Sequence, residues 1–406
     1  MQQDYDIVIA GGGMVGASLA IALAETGLSI AVIEPVLADA EQQPSYDDRG
    51  IGLSLSSKRI FQGLGVWSEV VGAANPIRHI HVSDRGHFGK VRMHAEQLGL
   101  ESLGHVVIAR ELGKVLRQKI KKQANVDFIC PARVESFSQT GDGVECQLES
   151  QGDPASLRCS LLVAADGTDS GVRQQLDIVT KEHDYRQSLI VSNISSKNPH
   201  NDTAYERFTE DGPLALLPLQ SNRYVLVFSC PGEMTQHYLA LSDEDFLDEV
   251  RQRMGRRIGQ VFRLGKRRAY PVKSVMADQQ LIGRVLLLGN AAHTIHPNGA
   301  QGFNLCLRDV ACLAEKLAEA GRQKLDPGNA MLLGEYLQER KTDQRRVSAQ
   351  SHNISRWFYN RNSGLSLVRN LALTLLDLTP PARQELMRRG MGISGMQPKL
   401  VRGLVT

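Results

Sequence analysis

No apolar run in this chain approaches the roughly 18 residues of a membrane-crossing helix, and none of its 406 residues falls in a low-complexity tract. Its six cysteines (Cys130, Cys146, Cys159, Cys230, Cys306 and Cys312) show no CxxC or metal-ligand spacing. That pattern speaks against a disulfide framework and a metal centre, and for a reduced, cytoplasmic compartment. The N-terminus, MQQDYDIVIAGGG, enters a strand with no basic region, apolar core or cleavage site ahead of it, so no signal peptide is expected. Net charge is only +3, too little for a nucleic-acid binder by bulk charge. That total hides an asymmetry. From Arg345 to Thr406 there are ten Lys/Arg against two acids, Asp377 and Glu385, so the tail is basic and the remainder mildly acidic.

What is present is ordinary globular material, 42% apolar and 22% charged, long enough for two domains or one large α/β unit with an insertion. Residues 5–34, YDIVIAGGGMVGASLAIALAETGLSIAVIE, read as strand, glycine turn, apolar-striped helix and second strand ending in an acid. Gly11, Gly13 and Gly16 fit G-x-G-x-x-G. The first makes the turn, the second admits a pyrophosphate to the backbone, and the third lets helix and strand pack closely. The helix N-terminus then faces the phosphates. Glu34, 23 residues after Gly11, stands where a carboxylate accepts from a ribose diol. This cradle alone leaves NAD and FAD open. Two more strand-terminal turns follow, LLVAADGTDSGVRQQL (161–176) and GRVLLLGNAAHTIHPNGAQGFNL (283–305). Three such turns suit a longer ligand, and FAD is one.

Taken in order, GGGMVG with Glu34, AADGTDSGVR and GNAAHTIHPNGAQGFNLCLRD resemble the class A flavoprotein aromatic hydroxylases of the p-hydroxybenzoate-hydroxylase fold. DDRGIGLS (47–54), VSDRGHFGKV (82–91), YERFTEDGPLALLPL (205–219) and RRAYPV (267–272) make the chain most similar to the ubiquinone-biosynthesis hydroxylases of the 2-octaprenyl-6-methoxyphenol hydroxylase type. The resemblance implies a mixed α/β fold: a Rossmann-like FAD domain (1–75, 96–176, 276–340) interleaved with a β-sheet substrate domain (76–95, 177–275), then a helical basic segment (341–406). It implies non-covalent FAD, with NAD(P)H and O2 as co-substrates and a polyprenylated phenol as substrate. Gly11, Gly13 and Gly16 would hold the pyrophosphate and Glu34 the adenosine ribose. Arg49 and Arg110 would reach the ribose and phosphates, and Val134 the adenine. Asp166 and Gly167 would support FAD and the nicotinamide, and Asn290 the ribityl or pyrophosphate part. Residues 297–304, with Gly302, Phe303 and Asn304, would cup the isoalloxazine, with His296 and Pro297 beside its reactive edge.

Three positions depart from the family pattern: Asn290 stands for an aspartate, and Ala300 and Cys306 stand for glycines. A flavin-dependent reductase or dehydrogenase of a lipid, or a flavin-bound scaffold subunit, remain the alternatives. His293 reads as a structural hydrogen-bonder, and no metal site is expected.

A helix begins near Gly302, with Phe303, Leu307, Val310, Ala311, Ala314 and Leu317 as its apolar stripe. Leu214, Leu216, Pro218 and Tyr270 are the candidate walls of a substrate pocket between sheet and flavin. The stretch 365–392 reads as an apolar helix stopped by Pro380-Pro381, followed by solvated arginines. It either packs on the body or meets a membrane surface or other ubiquinone-biosynthesis proteins, which would make the enzyme peripheral on the inner membrane.

Overall fold

The computed structural model describes residues 3–37, 49–150, 155–358, 363–395 and 397–404. Asp47 and Asp48 of the DDRGIGLS stretch lie outside these. The first sheet has eight strands in the order Leu281–Ile282, Val285–Leu287, Ala155–Ala164, Gln3–Ala10, Ile30–Ile33, Val126–Ile129, with a hairpin (Ala132–Gln139, Val144–Ser150) attached to Ala155–Ala164. From Val285–Leu287 to Val126–Ile129 every pairing is parallel. Parallel strands covered on both faces read as unbroken apolar runs. Ile7, Val8, Ile9, Leu161, Leu162 and Val163 are accordingly all at 0% exposure. On one face the helices Met14–Ala22 and Gln301–Gln323 bury their stripes with Leu307, Val310, Ala311, Ala314 and Leu317 at the centre.

The second sheet is nine-stranded and mostly antiparallel, built on Thr180–Ser196, Thr203–Phe208, Leu214–Leu219, Arg223–Pro231 and Arg268–Ala277. His79–Asp84 joins it from the N-terminal half, running parallel to Thr203–Phe208. His293–Thr294, inside the third glycine turn, adds an edge pairing to Arg268–Ala277. The chain therefore crosses between sheets several times, and the second sheet's face abuts the first sheet's third turn.

Period-2 alternation on this sheet corrects one expectation. Leu214 and Leu216 point away from the first sheet and pack with Phe246, Leu247 and Val250 of the helix Asp243–Met254. Ala215 and Leu217 point the other way. A strand buries alternate residues on opposite faces, so naming the pocket wall one residue off selects the wrong face entirely.

The C-terminal segment forms two helices, Ser363–Leu378 and Pro380–Gly390. Pro380 and Pro381 start the second helix, where a missing N–H costs nothing, as well as ending the first. The arginines here are not simply solvated. Arg369 is buried and donates to Asp84 Oδ2 from Nε (2.9 Å) and from a terminal nitrogen (2.6 Å). Asn370 donates to the same oxygen at 3.0 Å. Arg92 pairs with Asp377 at 2.8 Å. These contacts fix one face of Ser363–Leu378 on the second sheet.

Candidate functional site

The three glycine turns converge at the carboxyl ends of adjacent parallel strands. Ala165 N–H donates to Ala10 C=O (2.7 Å), and Leu288 N–H to Ala164 C=O (2.8 Å), so each turn begins beside the next. Arg173 ties the second to the third: buried at 5% exposure, it donates to Thr168 C=O and Ala291 C=O, both at 2.8 Å. Crevices beyond the carboxyl ends of such strands are where open α/β sheets bind ligands.

The residues of the first turn fit an elongated phosphate ester. Gly11 has φ +105°, and a Cβ there would lie 2.4 Å from Ala165 O. A Cβ on Gly16 would lie 2.0 Å from Gly11 O. Neither position tolerates a side chain. Helix Met14–Ala22 has Gly13 as its N-cap, with no side chain capping its first N–H groups. Glu34 is buried; its Oε2 accepts from Gly12 N–H at 2.8 Å and its Oε1 from Val36 N–H at 3.0 Å. Burial raises its pKa, and these two N–H groups oppose the rise. Val134 lies on the strand beginning at Ala132, whose N–H donates to Glu34 C=O at 2.9 Å. Arg49 C=O accepts from Ala109 N–H at 2.8 Å, which brings Arg49 beside Arg110 at the start of the helix Ala109–Ile120. The Arg49 guanidinium lies 4.7 Å from the Tyr270 ring centroid, so Tyr270 faces Arg49. Asp166 Oδ2 accepts from Val172 N–H at 3.2 Å, while its buried Oδ1 has no partner. An acceptor buried without a donor is costly, and a ligand hydroxyl would satisfy it.

In the third turn, Asn290 is exposed and its Oδ1 accepts from the Cys306 thiol at 3.6 Å. Two of the three departures from the family pattern thus touch each other. Ala300, the third, adopts φ +53°, ψ +34°, a left-handed conformation that glycine takes without cost. Asn304 is buried with every amide valence in use. Its Oδ1 accepts from Ser54 N–H (2.8 Å) and Ser57 Oγ (2.6 Å), and its Nδ2 donates to Gly52 C=O (2.9 Å) and Ala300 C=O (2.7 Å). Its side chain is a clamp within the protein, and Phe303 turns its ring toward Phe61. Gly302 and Phe303 lie in the first turn of the long helix.

His296 lines a cavity at 1% exposure, its ring edge-on to Tyr185 at 4.5 Å. Burial, then the nearby His352, lowers its pKa to about 4, so it is neutral at pH 7. Beneath the turn, His293 Nε2–H donates to Asp309 Oδ2 at 2.6 Å. Asp309 Oδ1 also accepts from Arg340 (2.6 Å) and Gln344 (3.1 Å). Asp343 then joins Arg340, Arg308 and Arg346. No group of His, Cys, Asp and Glu capable of holding a metal occurs among the described residues.

The cavity, about 560 Å³, runs from the Pro297–Ala300 turn, between the second sheet and the helix Ala330–Phe358, to the C-terminal helices. Its walls include Ala215 and Leu217 from the sheet and Leu373, Leu376 and Met387 from the tail. Phe208 and Phe358, stacked on each other with ring centroids 3.4 Å apart, both line it. Arg173 is visible in the second turn's sequence but its role in tying two turns together is not, and neither Glu206 nor the tail's share of the cavity is singled out by spacing. The tail's 365–378 apolar pattern was visible, but its partner strand lies about 285 residues away.

Residues 4–351 match the family described as FAD binding domain. The chain is 34% identical over 403 residues to the ubiquinone hydroxylase UbiL of Rhodospirillum rubrum, covering 98% of this chain and 93% of that one. It is 30% identical over 395 residues to the 3-demethoxyubiquinol 3-hydroxylase of Escherichia coli, covering 96% and 99%. In fold it is similar to p-nitrophenol 4-monooxygenase PnpA from Pseudomonas putida, with a TM-score of 0.82 at 18% identity, covering 98% and 100% of the two chains. With a phosphate-ester cradle spanning three strand ends and these relatives along its whole length, the chain belongs to the FAD-binding family of flavoprotein monooxygenases.

Proposed function

We propose that this protein hydroxylates the aromatic ring of a polyprenylated phenol in ubiquinone biosynthesis, using NAD(P)H and O2. The observation that carries the reading is the apolar cavity, which leads from the third turn to the C-terminal helices and has room for a ring and part of an isoprenoid tail. In this reading Gly11, Gly13 and Gly16 hold the FAD pyrophosphate, Glu34 the adenosine ribose and Val134 the adenine edge. Arg49 and Arg110 reach the phosphates and ribose. Asp166 Oδ1 and Asn290 receive the ribityl chain, and Asp166 with Gly167 also supports the nicotinamide. The backbone from Pro297 through Gly302, Phe303 and Asn304 bounds the isoalloxazine. Bound FAD supplies the electron transfer and oxygen chemistry. The chain's own work is to exclude water with Leu217, Leu373 and Leu376, and to keep the turn rigid through His293–Asp309. The test is full-chain enzyme with farnesylphenol and labelled dioxygen. Hydroxylated product carrying one labelled oxygen, with substrate-stimulated NAD(P)H oxidation, is expected. Oxidation without oxygen incorporation would make it a reductase, and no released FAD would end the reading.

A membrane surface as partner is supported by the outer face of Ser363–Leu378. Leu367, Val368, Leu371, Leu375 and Leu378 are between 48% and 71% exposed, while Leu373 and Leu376 of the same helix line the cavity. Trp357, 64% exposed, also borders the cavity. An apolar stripe above a lipid-sized cavity, on a basic tail, suits an anionic bilayer. Leu371→Glu with Leu375→Glu should abolish flotation with phosphatidylcholine–phosphatidylglycerol vesicles while FAD content stays full. Equal flotation of both proteins, or flotation of neither, rejects the docking. No helix among the described residues is long and apolar enough to cross a membrane.

A further inference from the structure

Glu206 is the one carboxylate among the described residues that line the cavity. It stands on Thr203–Phe208 with Ala204 and Phe208 on the same face, opposite Ala215 and beside Val82 in register. All four neighbours are apolar. Its carboxylate accepts the backbone N–H of Gly299, in the turn that bounds the flavin ring. Buried carboxylates are expensive unless paired, and among the described residues no ion pair reaches Glu206. Among the described residues the cavity's cations are Arg346, Arg369 and Arg389, on the three helices that close it, and its imidazole is His296 on the turn. Arg369 is engaged by Asp84 and Arg389 by Glu385, and Arg346 by Asp343. Arg207, the next residue on the strand, turns away and donates to Met254 C=O.

Resting on the hydroxylase reading above, we propose that Glu206 accepts the hydrogen bond of the substrate's phenolic hydroxyl and takes its proton as oxygen enters the ring. The phenolic O–H breaks, its proton passes to Glu206, and the electron pair moves into the ring, where one carbon bonds one oxygen atom of O2. The hydrogen at that carbon leaves as a proton to solvent while the ring rearomatises, and Glu206 returns its own proton to the phenolate oxygen. NAD(P)H supplies the two electrons and, with one proton from solvent, the two hydrogens with which the second oxygen leaves as water. Burial raises the Glu206 pKa to about 7, against the pull of the Gly299 N–H, which suits a base working near neutrality. Glu206 is an acid set among apolar strand neighbours. In an apolar wall it marks where the substrate's one polar group goes.

The experiment uses FAD-loaded full-length enzyme with farnesylphenol. Glu206→Gln keeps the shape and a hydrogen bond, so KM should change little while kcat falls by about 100-fold or more. The wild-type pH profile should rise through a limb near 7 that Glu206→Gln lacks and Glu206→Asp retains at lower kcat. Ultraviolet difference spectra should show the bound phenol ionising at higher pH in wild type than in Glu206→Gln, because an ionised carboxylate beside it disfavours the phenolate. Should Glu206→Gln lose FAD, the wild-type limb and Glu206→Asp decide: a wild-type profile without the limb overturns the assignment. Unaltered kcat and spectra in Glu206→Gln also overturn it. Wild type making no hydroxylated phenol defeats the hydroxylase reading instead.

Discussion

Replacing Asp309 by Asn removes one charge and almost no volume from the junction under the third glycine turn. Asp309 is at 0% exposure and accepts from His293, Arg340 and Gln344. Burial by itself would raise its pKa, but Arg340 and then His293 hold it below the usual carboxylate range. A hydrogen bond to a charged group contributes roughly 1.5–3 kcal/mol and a neutral one about 0.5–1.5, so each of these three bonds to the carboxylate is weakened by about 1 kcal/mol. Arg340 keeps Asp343, but that carboxylate already serves Arg308 and Arg346. Stripping one partner from a buried pair costs about 3–5 kcal/mol, and the surviving amide oxygen places this substitution near about 3 kcal/mol. Urea unfolding followed by circular dichroism, with flavin fluorescence reporting FAD release, measures it. The sign with pH is fixed by the direction of the shift. A depressed carboxylate pKa stabilises above the unfolded value, about 3.9, and that stability disappears as pH falls through the folded one. The difference between wild type and Asp309→Asn should therefore be constant from pH 8 to 5 and narrow only in stronger acid. A loss under about 1 kcal/mol at pH 7 would refute the idea that this carboxylate holds the turn.

His296, lowered to about 4 by burial, stays neutral in the fold while the unfolded chain takes up a proton below about 6.5. Stability should then fall by up to about 3 kcal/mol as pH drops from 6.5 to 4, and His296→Asn should flatten that part of the curve. Ala300→Gly relieves a left-handed alanine worth about 1–2 kcal/mol, offset by the glycine's extra unfolded entropy of about 0.5–1. The net expectation is a small rise in melting temperature, and a fall would mean the alanine methyl packs favourably against Gly52. Ala215→Trp should fill the cavity and raise KM with FAD retained, whereas Leu216→Trp, one residue on, should overpack the opposite core and lower the melting temperature. The reverse pattern would show that the strand's faces are misassigned.

The parts of this molecule legible in sequence share one property: their signals are local. Gly11, Gly16 and Glu34 sit within one strand–turn–helix–strand unit, and the Phe303–Leu317 stripe within one helix, so spacing alone locates them. The strand Leu214–Leu219 defeated that approach because both its faces are apolar. Leu214 and Leu216 meet the helix Asp243–Met254, and Ala215 and Leu217 meet the cavity. Alternation tells faces apart only when one of them is polar. Arg369 failed for a different reason. In the sequence it is one arginine in a basic tail, and only its distance from Asp84, closed by the fold, turns it into a buried ion pair.

Glu206 shows the same limit at the chemical centre. YERFTEDG puts it among other charged residues, where an acid on a strand reads as a solvated face. Only the pairing of Thr203–Phe208 with Leu214–Leu219 and His79–Asp84, and the arrival of Gly299 from nearly a hundred residues later, give it apolar neighbours. A binding cradle for a cofactor common to many enzymes is made of backbone and glycine, and these have fixed spacing. The group that meets one particular substrate is a single side chain whose meaning comes from what the rest of the chain places around it. That is why the cofactor could be read from the linear order of three turns, while the carboxyl that would distinguish a phenol from any other apolar guest required the folded cavity.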